Sequence, residues 1–333
     1  MSIISPRSLV LVLAVCLASC ASTTESEAPR ATNPTTASHQ AIPETLARPP
    51  FYQIRGGAGA TIAVMGTIHI GPSAGWTFSR AVNDGLEKAD LFILEVDLNQ
   101  VSEDEIGSAL ARMVIIEPPQ FLQDLVSPET AKLLEQEDAR LAKMGMPFNA
   151  RKRFEPWYIA ISLVESATRS SGLSGSASAE SVILAAVGDR PIHGLETLQQ
   201  QLDMLDNLDP RLQDMMLRDT LRSLDEAVEE VHAHAEAWQI GDEKYFEALA
   251  HEGVDEMPEF EEFYEILLGD RNRRWLPELQ RFLDDPAFAG KLIFVGVGTL
   301  HLVAEDGLIE LFRSRGYEVQ SIDHAEPIEL NKR

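Results

Sequence analysis

Residues 61–69 (T-I-A-V-M-G-T-I-H) and 292–301 (L-I-F-V-G-V-G-T-L-H) are the two stretches that decide the fold. Each is an apolar run rich in β-branched residues, which is typical of a buried strand, and each ends in Gly-Thr-[Ile/Leu]-His. The glycine, Gly66 or Gly298, lies three residues before its histidine. It lets the chain leave the strand at a backbone angle that other residues resist, or lets backbone N–H groups approach a ligand closely. The two stretches lie more than two hundred residues apart, and we expect the rest of the chain to bring them together.

Two further apolar runs, residues 91–96 and 191–196, each carry a glutamate at or near the end. Helical patterns separate the runs, and alternating strands and helices predict an α/β fold with a central, mostly parallel sheet and flanking helices. Residues 102–285 are mainly helical in pattern, which predicts a large helical insertion between the strand-forming ends of the domain.

The four strand ends carry His69, Glu95, Glu196 and His301. Because parallel strands have their carboxyl ends on one edge of a sheet, we expect these side chains to converge there. A single histidine after a strand is more often packed or solvated than functional. Two histidines that each follow an apolar strand and a Gly-Thr turn favour a functional site. A carboxylate within an apolar run is costly unless it is paired. Imidazole and carboxylate groups together suit a divalent metal such as zinc, manganese or iron.

The composition excludes several classes of protein. The 333 residues are 44% hydrophobic and carry a formal net charge of −25, so nucleic acid is not expected as a partner. The sequence has no Gly-x-Ser-x-Gly elbow, no His-Glu-x-x-His helix and no phosphate-binding glycine loop. The familiar serine hydrolase, zinc protease and nucleotide-binding interpretations therefore have no support.

The first 50 residues are predicted to lie outside the folded domain. Residues 1–19 form a signal peptide with an apolar centre, and Leu-Ala-Ser-Cys, ending at Cys20, resembles the bacterial lipobox in which the cysteine is lipidated. A plain secretory signal is the alternative. Residues 20–50 have the Ser, Thr, Ala and Pro content of a disordered tether. The domain is then expected at 51–323, followed by a tail at 324–333.

Within the insertion, the apolar spacing predicts one helix over residues 127–143, and two separate helices over 255–274 and 275–283. A small-residue break at 170–179 predicts a loop.

Several local patterns resemble the TraB/PrgY/GumN family, which is related to the Tiki proteases. They are Met-Gly-Thr-Ile-His ending at His69, Leu-Glu-Val around Glu95, Gly-Leu-Glu-Thr around Glu196 followed by Gln200 or Gln201, Val-Gly-Thr-Leu-His-Leu-Val around His301, Trp-Gln-Ile-Gly-Asp at 238–242, and the pair Arg271-Asn272. Together they cover nearly all of the folded chain. Residues 175–180 match the family only loosely, which leaves any role for that segment open.

The resemblance implies a metal-dependent peptidase. His69, Glu95 and His301 would hold a divalent metal (Mn, Co or Zn), Glu196 would act as general base, and Arg271 and Asn272 would position the substrate or the oxyanion. The partner would be a peptide or a small-molecule substrate. Ala21 after the lipidated cysteine would place the protein at the outer membrane, anchored by its lipid and facing the periplasm.

Two other functions fit the same residues. One is a haem- or iron-binding lipoprotein in which His69 and His301 are axial ligands. The other is a regulatory protein that binds peptides without cleaving them.

Overall fold

The apolar runs of the sequence form one six-stranded sheet in the computed structural model, which describes residues 46–251 and 257–328. The strands are β1 (Phe51–Arg55), β2 (Thr61–Thr67), β4 (Leu91–Val96), β6 (Ile192–Glu196), β7 (Leu292–Gly298) and β8 (Glu318–Ser321), while β3 (Gly71–Pro72) and β5 (Leu173–Ser174) pair with each other outside the sheet.

The order of the strands across the sheet is β6-β4-β7-β2-β1-β8. The first four are parallel, and β1 is antiparallel to both β2 and β8. The predicted α/β fold with a mostly parallel sheet is confirmed. The four strands that precede the predicted site groups are the four parallel ones, so their carboxyl ends share one edge.

Helices flank the sheet and form the insertion between β4 and β7. They are α1 (Arg80–Lys88), α2 (Glu103–Met113), α3 (Leu122–Leu125), α4 (Pro128–Gln136), α5 (Asp138–Lys143), α6 (Phe148–Arg151), α7 (Pro156–Ser171), α8 (Ala179–Val187), α9 (Leu198–Asp206), α10 (Pro210–Arg222), α11 (Ala227–Ile240), α12 (Glu243–Leu249), α13 (Glu259–Tyr264), α14 (Asp270–Asp284) and α15 (Leu308–Ser314).

The sheet is buried on both faces because its strands alternate between two cores. One face, with Met65, Phe92 and Phe294, joins a large core shared with the helical insertion. The other face, with Val64 and Val295, packs on the apolar sides of α14 and α15. Because water is excluded from both faces, polar side chains of the central strands can contact solvent or a ligand only at the ends of those strands.

Two helix predictions are wrong in detail. The predicted helix at 127–143 is divided into α4 and α5 at Glu137, where the backbone leaves helical geometry. The predicted break at Trp275 does not occur, since α14 runs through it and contains Pro277. Trp275 and Leu279 on this helix are buried under the sheet, and burial of this kind outweighs the hydrogen bond that a proline removes.

The packed part of the chain extends slightly beyond residues 51–323 at both ends. Ala47 is fully buried, and Ile328 is 4% exposed, with its N–H donating to Asp84. The predicted signal peptide, Cys20 and most of the predicted tether lie outside the described residues. Within the described part of the chain, none of the helices has both the length and the apolar character needed to cross a membrane.

Candidate functional site

The two histidine turns lie side by side at the sheet edge because β2 and β7 pair in parallel register, with Thr67 opposite Gly298. The Thr299 hydroxyl donates to the Thr67 carbonyl at 3.0 Å and joins the turns. Gly66 is required by this approach, since a Cβ there would come within 2.7 Å of the Thr299 Oγ1 atom. The turns that the sequence repeats are therefore two halves of one structure.

Arg271, from the first turn of α14, lies at the centre of the cluster. Its five N–H donors are all engaged: they meet Glu95 Oε2, both carboxylate oxygens of Glu196, His301 Nε2 at 2.9 Å and the Leu267 carbonyl at 3.1 Å. Arg271 is only 3% exposed, so these are buried contacts. Its single positive charge is shared between two carboxylates, which is the pairing that buried charges need.

Glu95 is the carboxylate nearest both histidine turns. Its Oε1 accepts the Gly298 N–H at 2.7 Å. Burial by itself would raise the pKa of Glu95, but Arg271, the two imidazoles and this N–H lower it to about 2. Glu95 is therefore ionised at any physiological pH.

Gln201 joins the two glutamates by donating from Nε2 to Glu95 at 3.2 Å and to Glu196 at 2.8 Å. The sequence motif left Gln200 and Gln201 undistinguished. Gln200 caps α9 with Thr197, since each side chain bonds the other's backbone N–H. The sequence contains a Thr-x-x-Gln capping box, which could have assigned Gln200 to the helix cap and identified Gln201 as the site residue.

His301 is held as a neutral ring. Its Nδ1 lies 2.8 Å from Asn272 Oδ1, and the Asn272 amide N–H donates to the Asp306 carbonyl at 3.0 Å, which fixes the amide orientation. Because Arg271 can only donate to His301 Nε2, the ring must carry its proton on Nδ1. Burial and the neighbouring Arg271 charge lower the pKa of His301 to about 3.

His69 has a different partner, a carboxylate. Its Nδ1 lies 2.9 Å from Glu180 Oε1, and both Glu180 oxygens are inaccessible to solvent. Burial would raise the pKa of Glu180, but the contact with His69 lowers it. The sequence did not identify Glu180, because this segment matched the family pattern only loosely. A glutamate in the first turn of an otherwise apolar helix was the available signal.

Gly298 lies beside three of the site groups. A Cβ built on Gly298 would lie 3.3 Å from Glu95 Oε1 and 3.7 Å from His69 Nε2 and from the Cδ2 atom of His301. His69 Nε2 and the ionised Glu95 Oε1 therefore lie close to each other on the same side of this glycine.

The predicted metal ligands can be tested against this arrangement. Catalytic zinc usually has three protein ligands. Among the residues that the structure describes, no three His, Cys, Asp or Glu side chains are arranged to bind one metal ion. The reason is Arg271, which donates to His301 Nε2 and to Glu95. As arranged, the cluster does not fit a three-ligand metal, so the set His69, Glu95 and His301 stays a prediction.

The sequence prediction is confirmed in one respect: His69, Glu95, Glu196 and His301 lie in one cluster with Arg271 and Asn272 beside them. A family model described as the TraB/PrgY/gumN family matches residues 50–321, with both histidine turns inside the matched range. The chain belongs to the TraB/PrgY/gumN family.

A curated relative is an uncharacterised protein of Treponema pallidum (strain Nichols), 25% identical over 174 residues. The match covers 51% of this chain and 51% of the relative, so it spans about half of each protein. No solved structure matches the chain.

Proposed function

We propose that this TraB/PrgY/gumN protein is a hydrolase of peptides in which His69 activates water over Gly298. The observation that carries the proposal is that His69 Nε2 and the ionised Glu95 Oε1 lie together beside Gly298, 3.7 Å and 3.3 Å from the place that a Cβ would take. We infer a peptide substrate from the resemblance of the family to the Tiki proteases.

The proposed reaction uses these two atoms. A water that approaches both would donate one O–H to His69 Nε2 and the other to Glu95 Oε1. As the water oxygen attacks the substrate carbonyl, its proton moves to His69 Nε2, and a C–O bond forms. The C–N bond then breaks, and the leaving amine takes a proton from His69.

We assign water activation to His69 and not to Glu196, the base expected from the family resemblance. Both oxygens of Glu196 accept hydrogen bonds from Arg271, and Oε1 accepts another from Gln201. His69 Nε2 lies beside the ionised Glu95 Oε1 near Gly298, where it could take a proton from a water that Glu95 also binds.

Arg271 and Asn272 were expected to contact the substrate, but their side chains bond within the cluster. All five Arg271 donors are engaged, and Asn272 lies between His301 and Asp306. We therefore assign them to holding the glutamates and His301 in position. Their predicted contacts with the substrate would require these bonds to open.

A cavity of about 560 Å³ lies beside the second turn and gives room for a substrate. Its wall includes Leu300, which precedes His301, and Asp306, which is bonded to Asn272. Tyr264 and Leu268 supply apolar surface. A site for a peptide needs such a mixed surface, and in the proposal the peptide reaches from this cavity to His69 and Glu95.

The test is to incubate the purified full-length protein with a mixed peptide library, with and without a chelator, and to identify products by mass spectrometry. We expect cleavage that persists in the chelator. Absence of cleavage across the library would contradict the hydrolase proposal. Loss of cleavage in chelator, restored by Mn, Co or Zn, would favour the predicted metal and contradict water activation by His69 alone.

The other predictions have separate readouts. A Soret band on adding haem, lost on substituting His69 or His301, would indicate the haem-binding alternative. Peptide binding without cleavage would indicate the regulatory alternative. The lipid anchor at Cys20, with the protein facing the periplasm from the outer membrane, remains part of the proposal and concerns residues outside the described structure.

A further inference from the structure

The geometry points to Glu180 as the positioning residue of His69: its carboxylate holds the imidazole with the proton on Nδ1 and with Nε2 toward Gly298. The catalytic consequence rests on the proposed function, but the orientation of the ring does not. Glu180 lies in the segment that matched the family pattern only loosely.

The contact is short and shielded from water. Glu180 Oε1 lies 2.9 Å from His69 Nδ1, the two side chains are 18% and 12% exposed, and both Glu180 oxygens are inaccessible to solvent. An ionised carboxylate can only accept hydrogen bonds, so a ring nitrogen 2.9 Å from one of its oxygens must supply the N–H. Nδ1 of the neutral ring must therefore carry the proton, and Nε2 carries the lone pair.

The backbone holds Glu180 against the histidine turn. The Ala179 N–H donates to the Ile68 carbonyl at 2.9 Å, so the residues preceding Glu180 and His69 are bonded to each other. Ser178 caps the start of α8 by accepting the Ser181 N–H at 3.2 Å. Glu180 is thus placed by a capped helix and not by a free loop.

A second connection lies just beyond His69. Gly71 pairs with Ser174 in the short ladder of β3 and β5. A Cβ at Gly71 would come within 2.0 Å of the Ala177 carbonyl oxygen, so the two chain segments touch through their backbones. The histidine turn and the start of α8 are fixed to each other on both sides of the contact.

The partners of the two histidines make the two turns chemically different. In His301, Nδ1 bonds an amide and Nε2 accepts from Arg271, so both nitrogens are engaged within the cluster. In His69, Nδ1 lies against a carboxylate and Nε2 lies toward Gly298. The two histidines of the repeated motif are therefore oriented by different partners, His301 by Asn272 and Arg271 and His69 by Glu180.

The experiment measures the tautomer of His69 directly. Full-length protein labelled with ¹⁵N-histidine is studied by NMR at pH 9, where neutral imidazoles dominate, and the His69 signals are identified by their loss in His69→Gln. We expect the Nδ1–H tautomer in the wild type and in Glu180→Gln, whose amide oxygen still accepts. Glu180→Met removes the acceptor at similar length and should shift the ring toward the Nε2–H tautomer.

An unchanged tautomer in a folded Glu180→Met protein would overturn the inference. Glu180→Ala serves as a second acceptor-free variant, and circular dichroism identifies which of the two is folded. Glu165→Met, in a solvent-exposed pair with Arg169, is the matched control and should leave the His69 signals unchanged.

Turnover gives the second readout. With a cleaved peptide, Glu180→Met should lower kcat at least tenfold with KM within about twofold, and Glu180→Gln should retain more of the kcat than Glu180→Met. A shifted tautomer with unchanged kcat would support the role of Glu180 in orienting His69 and contradict the hydrolase mechanism. An unchanged tautomer in Glu180→Met, with activity that still depends on His69, would support the hydrolase mechanism and contradict the role of Glu180.

Discussion

Replacing Arg271 with lysine tests whether one guanidinium holds the cluster together. Lysine keeps the positive charge but has three donors in place of five, and it lacks the planar fork that contacts both oxygens of Glu196. At least two of the five buried bonds must be lost. The contact between Arg271 and the Trp275 ring, 4.6 Å apart, is also weakened.

The size of the effect follows from these lost contacts. Hydrogen bonds to charged partners contribute about 1.5–3 kcal/mol each, so we expect Arg271→Lys to lower the free energy of unfolding by about 3 kcal/mol. Removing the charge, as in Arg271→Met, should cost about 3–5 kcal/mol, because Glu95 and Glu196 are then left buried without a cation.

The assay is urea unfolding followed by circular dichroism. Arg273→Lys is the matched control: Arg273 lies two residues along the same helix but is 46% exposed where it pairs with Glu265 and Asp270. Exposed pairs contribute little, so this variant should lie within about 0.5 kcal/mol of the wild type. If Arg271→Lys is no less stable than Arg273→Lys, the Arg271 guanidinium does not hold the cluster together.

Three further predictions use other parts of the site. Gly298→Ala should reduce peptide turnover strongly, because its Cβ would lie 3.3 Å from Glu95 Oε1 and 3.7 Å from His69 Nε2 and would keep a water from approaching both; normal turnover would show that the water lies elsewhere. The free energy of unfolding should fall by about 2 kcal/mol between pH 7 and pH 5 because of His301. The pKa of His301 is about 3 in the folded protein and 6.5 in the unfolded protein, so only the unfolded protein binds a proton in this range. The contribution of His301 to stability is therefore complete above pH 6.5 and is lost as the pH falls. His301→Gln should flatten this dependence, and an equal slope in both proteins would contradict it. Cys20→Ser should release the protein from the membrane fraction of cells that process lipoproteins, and an unchanged distribution would argue against a lipid anchor.

The sheet and the meeting of the two histidine turns could be predicted because they follow from strand topology. Apolar runs ending in polar groups identify the parallel strands, and parallel strands bring His69, Glu95, Glu196 and His301 to one edge whatever the helices between them do. This part of the prediction needed no knowledge of how the insertion packs.

The partners of these groups could not be predicted in the same way. Glu180 and Gln201 reach the site from helices whose orientation depends on tertiary packing, and the local patterns around them do not predict that orientation. Arg271 was recognised by resemblance, but its place between two glutamates is set by the docking of α14 under the sheet. The prediction of a helix break near Pro277 was wrong for the same reason, because burial of the neighbouring side chains outweighed the tendency of proline to end a helix.

The central claim is that His69 is the group that activates water in a site built by both turns. Its most direct test is the kcat of His69→Gln on the best peptide from the library, compared with His193→Gln as control, since His193 pairs with Glu278 on the surface at 2.8 Å. We predict a loss of at least 100-fold for His69→Gln and a change within about twofold for His193→Gln. Equal turnover in the two variants would contradict the claim.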